Sequence, residues 1–97
     1  MSIEEQYTEY GIRSFDISVR IDVNKHTVIS YQDVPLATFS VYEMFGFLNR
    51  RGTCTVRLTL DDSTYHQGAE NQFYVYCANA ETMFPNINFC GGYSIGR

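Results

Sequence analysis

The sequence predicts an α+β domain: a four- to five-stranded, mostly antiparallel sheet with one amphipathic helix packed on one face, in the order β-β-α-β-β. Three observations carry that expectation. Residues 13–23 alternate without a break, with Phe15, Ile17, Val19, Ile21 and Val23 on one side and Ser14, Asp16, Ser18, Arg20 and Asp22 on the other, the pattern of a half-buried strand. Residues 53–60 repeat it, with Cys54, Val56, Leu58 and Leu60 opposite Thr53, Thr55, Arg57 and Thr59. Between these stretches Val41, Met44, Phe45 and Leu48 fall at i, i+3, i+4 and i+7, one apolar stripe of a helix.

From the amino end, Ser2 and Glu5 have capping-box spacing, which allows a short helix over residues 3–10 that ends at Gly11. After the first strand, Asn24-Lys25-His26 is short enough for a hairpin, and residues 27–32 carry the β-branched and aromatic content of an antiparallel partner. Pro35 ends that strand and opens a connection. The central helix is expected to start at a Ser40 cap with Glu43 reaching back and Phe39 and Met44 closing over the turn, and to stop at Gly52 after Arg50 and Arg51.

Beyond the third strand, residues 61–71 read as an exposed polar loop, and residues 72–78 as a fourth strand with Phe73, Val75 and Cys77 on one side and Tyr74, Tyr76 and Ala78 on the other. Residues 79–83 are expected to form at most a helical turn before Pro85. Residues 87–89 and 93–95 are expected to add a short C-terminal strand about Gly91-Gly92. The core that follows is Phe15, Ile17, Val19, Ile21, Val41, Met44, Phe45, Leu48, Val56, Leu58, Phe73 and Val75. A single helix leaves part of such a sheet uncovered.

Ninety-seven residues make one domain, 1–97. The net charge is −4, with seven basic residues against eleven acidic, which argues against nucleic acid or an anionic membrane and favours a basic protein as partner. The start has neither the charge nor the apolar run of a signal peptide, and no stretch has the length of a membrane span, so the expected address is the cytoplasm. Three cysteines with no close pair fit neither a disulfide framework nor a zinc or redox CxxC site.

Groups suited to catalysis are few. His66, with Asp61, Asp62 and Glu70 nearby, sits in a polar loop whose spacing matches no metal or acid–base motif, so no metal and no cofactor is expected. Cys54 and Cys77 fall on inward faces, and Cys90 beside Gly91-Gly92 is the cysteine expected to be accessible. The compositional oddity is eight tyrosines and seven phenylalanines with no tryptophan. Such rings are enriched in interfaces because they offer large area at little entropic cost.

The expected function is therefore a non-catalytic protein-binding domain that presents Tyr74, Tyr76, Tyr65, Asp61, Asp62 and Glu70 to a larger basic protein. In size and charge, though at no particular motif, the chain resembles the small inhibitors encoded by phages and mobile elements. These include immunity, anti-restriction and anti-CRISPR proteins, and the resemblance implies blocking of a basic nuclease or nucleic-acid-binding complex. Two alternatives remain: a small-ligand site or minor enzyme near His66 and Cys90, and a structural homo-oligomer, for instance a homodimer closed through a strand edge.

Overall fold

The computed structural model describes residues 1–22, 24, 27–31, 34–36, 38–61, 67–89 and 94–95. In chain order they form α1 (Ile3–Tyr10), β1 (Ser14–Ile21), β2 (Thr27–Tyr31), β3 (Val34–Leu36), α2 (Thr38–Arg51), β4 (Cys54–Leu60), α3 (Ala69–Met83), β5 (Ile87–Asn88) and β6 (Ser94–Ile95). The class is α+β as predicted, but the sheet is mixed rather than mostly antiparallel. Its strands lie in the order β3-β2-β1-β4-β5, with β6 also on β4.

The hairpin of β1 and β2 is antiparallel, with Val19 opposite Ile29. β4 then lies on the other side of β1 and runs parallel to it, with Phe15 opposite Val56 and Ile17 opposite Leu58. The reason is a chain reversal at residues 34–36, a stretch whose Pro35 predicts a connection. β3 pairs antiparallel with β2, so the chain enters α2 from the end at which β1 finished, and α2 returns it to β1's starting end. Pro35 is tolerated because β3 is an edge strand.

The second correction is larger. Residues 72–78 are not a strand but the middle of α3, and residues 79–83 complete that helix rather than forming a separate turn. Its buried positions are Ala69, Phe73, Cys77 and Ala80, at i, i+4, i+8 and i+11, with Phe84 closing the end. Val75, expected in the core, is 60% exposed. The physical reason is the return path: β5 is parallel to β4, and a parallel connection needs a crossover, which a strand in this place would not supply.

Smaller differences concern the caps. α2 begins at Thr38, so Ser40 lies in its first turn instead of capping it, and the side chain of Phe39 lies outside the described part. At α1 the expected cap is present: Ser2 Oγ accepts from the Glu5 amide at 3.1 Å, and Gly11 takes a φ of 67°, a left-handed value that glycine adopts without strain.

α3 packs on β1 and β4, α2 on β2 and β5, and α1 on α2. One face of the sheet is thus roofed. Along β1, Phe15, Ile17, Val19 and Ile21 are buried under the helices while Ser14, Asp16, Ser18 and Arg20 face solvent. The core is one continuous cluster in which Phe45, fully buried, meets the rings of Phe84 and Phe89 edge-on at 5.4 and 5.7 Å. Val23, Lys25 and His26 of the expected hairpin lie outside the described residues.

Candidate functional site

α3 decides where the expected site residues fall. On a helix, residues two apart are turned about 200° from one another, so Tyr74 and Tyr76 cannot share a face as they would on a strand. Tyr74 points outward, 45% exposed, and its hydroxyl donates to Glu70 Oε1 at 3.2 Å, one turn back. That hydrogen bond, and then the charge of Glu70, hold the phenol above its usual pKa.

Tyr76 turns inward. Its ring lines a cavity of about 130 Å³ with Thr27, Ile29, Val41 and Tyr42, between β2, α2 and α3. Its hydroxyl is buried with no hydrogen-bond partner among the described residues. Burial, and to a lesser degree Tyr42 and Cys77, push its pKa far above that of a free phenol. A buried hydroxyl without a partner carries a desolvation penalty of about 1–3 kcal/mol that phenylalanine would not. Tyr76→Phe should therefore keep or raise the urea midpoint, gaining up to about 1 kcal/mol. A clear loss would show that the hydroxyl has a partner. The sign of the pH effect follows: with the folded pKa raised, folding takes up protons above the unfolded value near 10, so stability falls as pH rises through that range. Tyr76→Phe should flatten this fall.

Asp61 stands apart from both tyrosines. It follows β4 on the solvent side of the sheet, where Arg20 Nε donates to its Oδ2 at 2.8 Å, so its charge is compensated. Asp62, Tyr65, His66 and Cys90 lie outside the described residues. Of the six expected partner-binding residues, then, the structure brings together Tyr74 and Glu70. It separates Tyr76 and Asp61 from them.

The sequence reading missed the residues that surround Tyr74. Val75, Ala78 and Thr82 are exposed on the same outer side of α3, Val75 by 60%. Spacings of three and four residues join Ala78 to Tyr74, Val75 and Thr82. Reading residues 69–84 at period 3.6 finds the inner stripe at Ala69, Phe73, Cys77, Ala80 and Phe84 and an outer patch at Tyr74, Val75, Ala78 and Thr82. α3 thus carries exposed apolar side chains opposite its buried stripe. It carries Glu70 in its first turn and Glu81 near its end, and no basic residue.

The two described thiols, both buried, are held in their neutral form. Burial, then the charge of Glu81, push Cys77 up to about 12, and burial raises Cys54 against a weaker opposing pull from Arg13. Among the described residues no group of three or more His, Cys, Asp or Glu side chains is placed to hold a metal ion, and no described helix is long and apolar enough to cross a membrane.

A further cavity of about 340 Å³ lies where the first turns of α1 and α2 meet β2 and β3. Glu4 and Glu43 line it beside Ile3, Leu36 and Met44. No protein-family model, curated protein or solved structure matches the chain.

Proposed function

We propose that this is a non-catalytic protein-binding domain whose contact surface is the outer side of α3. The observation that carries the reading is the exposed apolar patch opposite the buried stripe: Tyr74, Val75 and Ala78 stand in water on a helix whose other side already fills the core. Such a helix carries more apolar surface than its own fold buries. Tyr74 suits the centre of such a contact, since its ring offers area and its hydroxyl is already oriented by Glu70.

The partner is a larger basic protein. Glu70 and Glu81 flank the patch, α3 contributes no positive charge, and the whole chain carries −4. A nuclease or nucleic-acid-binding complex has the positively charged channel that an acidic domain of 11.2 kDa could cover, which makes inhibition of such an enzyme the specific form of this proposal. The compartment would be that of the partner, the cytoplasm.

The test compares two surfaces of one fold. A Tyr74→Ala/Val75→Asp double variant changes only exposed side chains and should remain folded, yet lose at least about tenfold in recovery of any stoichiometric partner that wild type retains at low salt. Arg57→Ala, on the bare sheet face, should retain it. Equal recovery by both variants would refute the α3 surface. A wild-type partner whose retention does not change with salt would refute the electrostatic part.

A further inference from the structure

We propose that Arg13 and the hydroxyls of Thr53 and Thr55 form a binding site for the carboxylate or phosphate group of a small polar ligand, at the end of the molecule where β1, β4 and β5 begin. This site is separate from the surface of α3 and does not depend on it.

The argument starts with how Arg13 is held. Its Nη1 donates to the carbonyls of Tyr7 and Ile12, both at 2.9 Å, and its guanidinium carbon lies 3.5 Å from the centroid of the Tyr7 ring. A guanidinium has five N–H donors, and two carbonyls occupy those of Nη1. The opposite edge, Nε and Nη2, keeps the paired parallel donors that match two oxygens of a carboxylate or phosphate, and no described residue meets it. Arginine fixed on one edge and open on the other has already lost the side-chain entropy that binding would otherwise remove.

The surroundings agree in chemistry. Arg13 lines an open cavity of about 450 Å³ with Ser14, Thr53, Thr55, Asn86 and Asn88. That volume exceeds what a bare ion needs and falls in the range of small-molecule sites. No carboxylate lines it: Asp16, further along β1, is turned to Arg57 at 3.7 Å in an adjoining depression. Cys54, the remaining lining group, stays a neutral thiol because burial disfavours its anion. The Tyr7 ring meets Phe47 at 6.0 Å, and the Arg51 guanidinium sits 3.6 Å from the Phe47 centroid, so a second cation belongs to the same stack. In a chain of net charge −4, Arg13 and Arg51 thus stand on one aromatic stack.

The experiment is a ¹H–¹⁵N titration of the whole protein with inorganic phosphate and, separately, with sodium acetate, against sodium chloride at equal ionic strength. Saturable shifts at the Arg13 Nε–H and the Thr53 and Thr55 amides are expected, and the ion that saturates at lower concentration identifies the headgroup. Arg13→Lys keeps the charge but not the paired edge and should weaken binding at least about tenfold. Thr55→Val, which leaves Arg13 in place, should weaken it several-fold and serves if Arg13→Lys does not fold. Shifts that grow linearly with salt, that match those in chloride, or that survive in both variants would overturn the site.

Discussion

Phe45→Ala should remove about 3–5 kcal/mol of folding free energy, the range measured when a buried aromatic ring is cut back to a methyl group. Phe45 is fully buried in α2 and is the ring on which the late part of the chain closes, meeting Phe84 after α3 and Phe89 after β5. The substitution opens a cavity and also removes two edge-to-face contacts, each worth about 0.5–1.5 kcal/mol beyond burial. Domains of this size hold about 5–15 kcal/mol in total. Urea denaturation should therefore show a variant that has lost a large part of its stability, and thermal melting a Tm lower by more than about 12 °C. A loss below about 1 kcal/mol would mean that the three rings do not share one core.

The second large effect is a contrast between near neighbours. Phe73→Ala should cost about 3–5 kcal/mol, because Phe73 is fully buried under α3 against the sheet. Val75→Ala should change stability by no more than about 0.5 kcal/mol, and in the favourable direction, since the side chain is 60% exposed and alanine is the better helix former. Were residues 72–78 a strand, the two side chains would share the buried face and both truncations would be costly. Denaturant midpoints of the two variants measured side by side separate the cases.

That contrast also shows what the sequence discloses and what it does not. Phe15, Ile17, Val19 and Ile21, and again Cys54, Val56, Leu58 and Leu60, reveal their strands because a half-buried strand writes its two faces as strict alternation. Ser2 and Gly11 disclose both ends of α1 because capping is local chemistry. The run Phe73-Tyr74-Val75-Tyr76-Cys77 misleads because its aromatic and β-branched residues favour strands, while the packing that makes it a helix involves Ala69, Ala80 and Phe84 further away. The parallel pairing of β1 with β4 depends on a three-residue edge strand, Val34–Leu36, too short to leave a period.

The candidate sites divide along the same line. Tyr74 and Glu70 could be picked out by residue type, and their contact at i and i+4 follows once α3 is a helix. Tyr76 was indistinguishable from Tyr74 in the sequence because period two and period 3.6 place residue i+2 on opposite sides. Arg13 carried no local signal. Its role comes from a carbonyl and a ring of Tyr7, which the turn at Gly11 brings back over it.

The proposed partner surface depends on residues 69–83 being one helix whose outer side stands free. Backbone Cα chemical shifts of the isolated protein test this most directly. An unbroken run of helical shifts from Ala69 to Met83 is the predicted result. Strand-type shifts over 72–78 would contradict it, returning Tyr74 and Tyr76 to one face and removing the exposed apolar patch on which partner binding rests.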